Sequence, residues 1–174
     1  MSPRASSNLP GISLLEQTPI IIEKILLDVP DSTLGWKPAM DRWSISEVLA
    51  HMTETDQIIR ERLRRIAQED MPSIESFDQN ASYAAGKYAG LGREHLRNFC
   101  HERDRSLSLL RYLPEAALGR AGKHAEIGTV TISDHLHEWT FHDLGHIKQI
   151  AELYRARQFY PKMGGFKTYY TVKP

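Results

Sequence analysis

The segment FHDLGHIKQI, residues 141–150, carries two histidines whose spacing is typical of metal chemistry. His142 and His146 are four residues apart. On an α-helix this spacing places both imidazoles on one face, about 6 Å apart along the axis. Such a pair can chelate a metal ion, carry out acid–base chemistry or lie at a polar seam between helices. Which of these applies depends on whether another segment supplies a third ligand.

His51 is the strongest candidate for the third ligand. It lies two turns after a helix start, on an apolar face where an imidazole is poorly hydrated and needs a partner. Three neutral imidazoles leave a coordination position open for water or substrate, as in catalytic metal sites. The alternative is a hydrogen-bonded core histidine at position 51, with His142 and His146 bridged to carboxylates such as Glu47, Glu54 or Asp143.

Three further polar residues share the helical face of His142. At about 100° per residue, His135, Glu138 and Gln149 all lie within roughly 40° of it. Glu138, one turn before His142, is a candidate acid–base group. His135 is about 10 Å away along the axis, too far to share an ion, and is predicted either to pack in the core or to form a pocket wall. Gln149 is predicted either to orient a ligand or bound water or to form a core hydrogen bond, whereas His137 points towards solvent.

Candidates also lie outside this face. His124 precedes the last helix in a connection, where it is either an acid–base group that closes over the site or a solvated surface histidine. Glu54 is a further candidate base. Asp143 lies about 100° round the helix from His142, which predicts a contact behind the ligands, an interhelical contact or a surface charge.

Four amphipathic segments are predicted to be the helices that position these residues. Two of them begin at capping boxes, Ser44 with Glu47 and Thr131 with Asp134. No alternating strand pattern exceeds a few residues. The predicted fold is therefore all-α, a four-helix bundle whose long connections allow a crossover topology. The predicted helices cover residues 12–29, 44–69, 87–112 and 131–158.

The predicted domain organisation is one bundle with two flanking segments. Residues 1–11 are predicted to be a flexible arm, residues 12–159 the bundle, and residues 160–174 an extended tail packed on the bundle.

Composition excludes several classes of function. Lys plus Arg equals Asp plus Glu, 22 each, so nucleic acid and membrane are not expected as partners. The single cysteine, Cys100, rules out an intrachain disulfide and a cysteine-based zinc cage. No apolar run approaches the length of a membrane span, and the first residues do not resemble a secretory signal. A cytoplasmic protein is the expectation.

The segments WSISEVLAHM, residues 43–52, and GTVTISDHLHEWTFHDLGHIKQI, residues 128–150, together resemble the DinB / YfiT-like superfamily. The resemblance covers residues 12–159 and rests on a Trp-Ser helix start leading to a histidine, followed much later by H-x-x-x-H and Q-I. It implies a four-helix bundle with a divalent metal, zinc, nickel or iron, held by His51, His142 and His146.

The resemblance also implies a class of function. Members include thiol-dependent S-transferases that use low-molecular-weight thiols. A metal-dependent transferase or hydrolase acting on a small molecule is therefore expected. The alternative is a non-catalytic metal-binding or stress-related bundle protein. Amphipathic helices with a spare face are compatible with a homodimer.

Overall fold

Four long helices form a bundle, as predicted. The computed structural model describes residues 8–172. Helix α3 packs against α5 and α6, and α1 packs against the same two helices, so that α1 and α3 lie diagonally across the bundle. Successive long helices that are not neighbours require a long crossover, which residues 27–44 provide. The long helices are α1 (Ile12–Leu26), α3 (Ile45–Gln68), α5 (Gly92–Leu110) and α6 (Ile132–Gln158); the short ones are α2 (Asp31–Leu34) and α4 (Gln79–Ala84).

Both predicted capping boxes form, and they set the starts of the two helices that carry the histidines. Ser44 accepts from the Glu47 backbone N–H at 3.2 Å, and Glu47 accepts from the Ser44 N–H at 2.7 Å. Thr131 and Asp134 make the equivalent pair at 3.0 and 2.9 Å. These reciprocal bonds satisfy N–H groups that a helix start leaves unpaired.

The other two helices are shorter than predicted. Helix α1 ends at Leu26 rather than at residue 29. Beyond that point Arg93 of α5 donates to the carbonyls of Leu26 and Val29. Helix α5 begins at Gly92 rather than at residue 87, because Gly90 has φ 145°, which no helix accommodates.

The connections predicted as loops contain a small sheet. Strand β1 (Ser73–Ile74) pairs in parallel with β2 (Ala121–His124), which pairs antiparallel with β3 (Gly128–Thr131). These strands are too short for an alternating pattern to identify them. Gly122 is required in β2, since a Cβ there would lie 2.9 Å from the Pro72 carbonyl oxygen. The sheet holds His124 beside α3 and α6.

Two apolar clusters fill the bundle, and polar residues lie between them along each helix. On α3, Leu49 belongs to one cluster and Ile59 to the other; on α6, Ile150 and Trp139 divide in the same way. Buried polar side chains need partners, so this region is where specific chemistry is expected. We call it the polar layer; it contains His51, Asp56, Arg103, His142, Asp143 and His146.

The two end segments differ from prediction. Residues 1–7 of the predicted flexible arm lie outside the described residues, whereas Leu9 is buried in the core at 4% exposure. The tail was predicted to be extended, but Tyr160–Lys162 and Gly164–Tyr169 are short 3₁₀ helices. Pro161 and the positive φ of Gly164 favour turns over an extended chain. None of the helices in residues 8–172 combines the length and hydropathy that a membrane crossing requires.

Candidate metal centre

The structure brings His51, His142 and His146 together. The Nε2 atom of His142 lies 3.0 Å from Nε2 of His51 and 3.1 Å from Nε2 of His146. One ligand atom from each residue lies within 4.8 Å of the others. The early position of His51 on α3 and the middle position of His142 on α6 meet because these helices run antiparallel.

Hydrogen bonds on the outer ring nitrogens determine the tautomers of two of these histidines. The Tyr88 hydroxyl donates to Glu54 at 2.8 Å, so its oxygen is left to accept from His51 Nδ1, 3.3 Å away. Gln149 Oε1 lies 2.9 Å from His146 Nδ1 and accepts from it. Both histidines therefore carry their hydrogen on Nδ1 and direct an Nε2 lone pair inward.

Burial keeps all three imidazoles neutral, which is the form that binds metal. Desolvation, reinforced by the neighbouring histidines, lowers the pKa of His51 to about 3. Desolvation, with His146 and Arg103, lowers the pKa of His142 to about 3. Desolvation also lowers the pKa of His146, although the bond to Gln149 opposes it.

The donor set fits a divalent transition metal. His51 and His146 carry their hydrogens on Nδ1, so only His142 can carry one on Nε2. A single hydrogen there cannot satisfy the Nε2 lone pairs of both His51 and His146. Two nitrogens on a tetrahedral zinc, each about 2.0–2.1 Å from the ion, are roughly 3.3 Å apart. The observed separations of 3.0 and 3.1 Å are close to that value. A cation would satisfy all three nitrogens at once.

A buried ion-pair network supports the histidines from behind. Arg103 of α5 donates to Asp56 of α3 at 2.8 and 2.9 Å and to Asp143 of α6 at 2.6 and 3.0 Å. It also donates to the Leu15 carbonyl of α1 at 2.9 Å. One guanidinium thus joins all four long helices. Asp143, next to His142, makes the interhelical contact that was one of its predicted roles.

A cavity of about 350 Å³ opens beside the histidines, between α3, α6 and the β2–β3 hairpin. This volume is within the range of small-molecule sites. Both His51 and His142 line it, so two of the three imidazoles border the cavity. The other lining residues are Thr55, Ile58, Ile59, Arg62, Phe77, Gln79, His124, Ile127, Val130, Asp134, His135 and Glu138.

The remaining predicted site residues divide between the cavity and its surroundings. His124, His135 and Glu138 line the cavity, and His137 is exposed on the opposite face of α6. His124 lies on strand β2 and is buried rather than solvated. Glu54 is turned away, towards Tyr88, Ser82 and Lys87. Burial would raise the pKa of Glu54, but hydrogen bonds from those three residues lower it, so it acts as an acceptor behind His51 rather than as a base in the cavity.

Several residues of the site could not be identified from the sequence. Tyr88, Asp56 and Arg103 carry no motif, and their partners in the site lie 37 or more positions away in the chain. An Arg in the apolar stripe of α5 was the one usable signal, since a buried charge needs a partner.

We expect Tyr88→Phe to weaken metal affinity about 10- to 100-fold without reducing the number of ions bound. The substitution removes the oxygen that accepts from His51 Nδ1 but keeps the ring. Competition between the protein and a chromophoric zinc chelator measures the change. Tyr83→Phe is the matched control, because the Tyr83 hydroxyl accepts from Lys37 at 2.6 Å and belongs to the same aromatic cluster. Equal affinities for the two variants would contradict the positioning role of Tyr88.

Comparison with known proteins agrees with this architecture. Residues 14–150 match the family model described as the DinB superfamily. A protein from Oceanobacillus iheyensis, named "Putative metal-dependent hydrolase", is 22% identical over 148 residues, which are 85% of this chain and 86% of that protein. The structure of YfiT from Bacillus subtilis, described as "a probable metal-dependent hydrolase with an unusual four-helix bundle topology", superposes with a TM-score of 0.74. Its sequence identity is 23%, over 84% of this chain and 85% of that one.

Proposed function

Because the chain belongs to the DinB superfamily, we propose that it is a metal-dependent enzyme that acts on a small molecule in the cavity beside its three histidines. The convergence of the Nε2 atoms of His51, His142 and His146 at the edge of a cavity of about 350 Å³ carries this proposal. The descriptions of the two relatives, one "putative" and one "probable" metal-dependent hydrolase, support it. Zinc, nickel and iron(II) all suit an imidazole donor set.

The residues around the cavity are suited to hydrolysis. A divalent cation held by the three imidazoles supplies Lewis acidity, which lowers the pKa of a bound water or thiol and polarises an acyl oxygen. Glu138 faces the cavity one turn from His142, and burial raises the pKa of its carboxyl, which suits it to accept a proton from the attacking water.

Hydrolysis requires only one organic substrate in the cavity, and its nucleophile is water. Thiol-dependent S-transfer is the second candidate, since the same imidazoles would serve a thiol nucleophile. A non-catalytic metal-binding role is disfavoured because the histidines border an open cavity rather than a closed shell of protein.

Metal-dependent turnover tests the proposal. We expect metal-free protein to be inactive and zinc, nickel or iron(II) to restore hydrolysis of short-chain p-nitrophenyl esters or thioesters. Glu138→Gln should keep its metal and lower kcat by roughly 10²-fold. Glu94→Gln, an exposed glutamate of α5, is the control.

The test of thiol-dependent S-transfer uses cysteine as the thiol and 1-chloro-2,4-dinitrobenzene as the electrophile. Metal-dependent loss of the thiol without ester hydrolysis would favour S-transfer. Metal binding with no turnover in either assay would favour the non-catalytic role.

A further inference from the structure

The cavity has a second polar end, remote from the three histidines. Its members are Arg62 on α3, His124 on β2 and His135 on α6, and all three line the cavity. We call them the distal polar cluster. His135 is seven residues before His142 on α6, which places this cluster about 10 Å from the candidate metal centre. A small molecule can span that distance.

His135 has an unpartnered ring nitrogen within the part of the chain that the structure describes. It is 7% exposed, and among residues 8–172 its Nε2 has no hydrogen-bond partner. The Oγ1 of Thr55, on the cavity wall one turn after His51, is unpartnered in the same way. A buried polar atom without a partner has lost its hydration without gaining a hydrogen bond in return, which destabilises the empty site. Both residues line the same cavity, Thr55 from α3 and His135 from α6, which indicates a polar ligand.

His124 presents a donor to the same space. The backbone N–H of Glu126 donates to His124 Nδ1 at 3.2 Å, so Nδ1 is unprotonated and the ring hydrogen is on Nε2. His124 is 9% exposed, on strand β2 within the cavity lining. Its Nε2–H is therefore the ring atom left for a ligand.

Arg62 adds one positive charge to this end of the cavity. Its Nη2 donates to the Glu75 carbonyl at 2.6 Å, which holds the side chain in position and leaves other guanidinium N–H groups for a ligand. Two acidic residues, Asp134 and Glu138, also line the cavity. Asp134 accepts from the Thr131 N–H and hydroxyl at the start of α6. Glu138 interacts electrostatically with Arg62, but among residues 8–172 the two form no ion pair within 4 Å. A single guanidinium in a cavity that also holds two carboxylates suits a monoanion better than a phosphate dianion.

We propose that the distal polar cluster binds a carboxylate of the substrate, received by the Arg62 guanidinium and the imidazole N–H groups of His124 and His135. This inference rests on the proposed function, because it takes the reacting bond to lie at the three histidines. The wall between the two polar ends carries Ile58, Ile127 and Val130. The substrate class is therefore a small carboxylic acid with a short apolar segment between its carboxylate and the bond that reacts.

Binding of hexanoate tests the inference without requiring turnover. Hexanoate has a carboxylate and an apolar chain of suitable length, and titration calorimetry measures its Kd on metal-loaded and metal-free protein. We expect binding to both forms, because the distal polar cluster does not depend on the ion. Arg62→Met should weaken hexanoate binding roughly 10- to 100-fold. Arg62→Lys, which retains the charge, should recover part of that loss.

Two controls distinguish the contribution of the ligand's carboxylate from that of its apolar chain, and the effect of Arg62 from that of a nearby arginine. Arg64→Met, an exposed arginine paired with Glu61 on the same helix, should change the hexanoate Kd less than about 2-fold. Hexan-1-ol should bind at least about 10-fold more weakly than hexanoate. Tighter binding of butyl phosphate than of hexanoate would overturn the assignment to carboxylates.

The two proposals fail in different ways. Hexanoate binding that requires metal, disappears in His142→Ala and is unaffected by Arg62→Met would place the carboxylate at the ion. That result would overturn the distal site while supporting the metal centre. Hexanoate binding that depends on Arg62 in a protein that takes up no metal would leave the distal site standing and reject the proposed enzyme.

Discussion

His142→Ala is expected to abolish stoichiometric metal binding. Protein purified without a histidine tag should contain about one equivalent of a transition metal by elemental analysis, and the variant should contain almost none. His142 is the central donor, since its Nε2 is 3.0 Å from that of His51 and 3.1 Å from that of His146. Removing this ligand should weaken metal affinity by more than the 10- to 100-fold expected for altering a residue behind a ligand.

The same substitution distinguishes a metal site from a polar seam through stability. An ion that binds only the folded state, at 100 times its Kd, adds about 2.7 kcal/mol to the free energy of unfolding. Wild-type protein should therefore gain this stability when zinc is added, and His142→Ala should not. Without metal, the free energies of unfolding of wild-type protein and His142→Ala should differ little. The variant loses an imidazole whose Nε2 is crowded against the lone pairs of His51 and His146.

His137→Ala is the matched control for this experiment. His137 lies on the same helix, is exposed and contacts the Ser133 carbonyl rather than the other histidines. It should retain one equivalent of metal and the full stabilisation. No metal uptake by wild-type protein from zinc, nickel, manganese or iron(II) would reject the metal centre, and the three histidines would then be a polar seam.

Arg103→Met is expected to lower the free energy of unfolding by about 3–5 kcal/mol. Asp56, Arg103 and Asp143 are each no more than 1% exposed, and Arg103 bonds to both carboxylates. Burial opposes the charge on Arg103, but the two carboxylates raise its pKa and keep it protonated. Without the guanidinium, two carboxylates remain buried with no cation to balance them. Urea denaturation followed by circular dichroism measures the loss.

Compensating substitutions show whether Arg103→Met loses stability through poorer packing or through unpaired buried charge. Arg103→Met combined with Asp56→Leu and Asp143→Leu should recover much of the stability, since apolar replacement of a whole buried network is often neutral. Arg97→Met, at an exposed arginine on the same helix, should change the free energy of unfolding by less than about 0.5 kcal/mol. A triple variant no more stable than Arg103→Met would contradict the charge argument.

Local signals in the sequence were sufficient for the two helices that carry the histidines. The capping boxes at Ser44 and Thr131 involve residues three apart, so the starts of α3 and α6 were predicted correctly. The i, i+4 spacing of His142 and His146 likewise determines their shared face whatever the rest of the chain does. The starts and ends of α1 and α5 were less accurate, because Arg93 from another helix and the backbone of Gly90 decide them.

The position of His51 beside the histidine pair required more than local signals. An apolar face predicts that His51 is buried, and the resemblance to a family supplied its expected partners. The antiparallel packing of α3 on α6 brings its Nε2 within 3.0 Å of His142. The hydrogen bonds that His51 Nδ1 donates to Tyr88 and His146 Nδ1 donates to Gln149 then direct the Nε2 lone pairs inward.

The sequence alone therefore determined the helical class, the two histidine-bearing helices and the shared face of His142 and His146, because these depend on periodicity and short-range hydrogen bonds. Only the tertiary structure decided the cavity, the Arg103 network, the sheet that carries His124 and the distal polar cluster. Each of these joins residues 40 or more positions apart, and a contact of that range depends on how helices pack rather than on any local pattern.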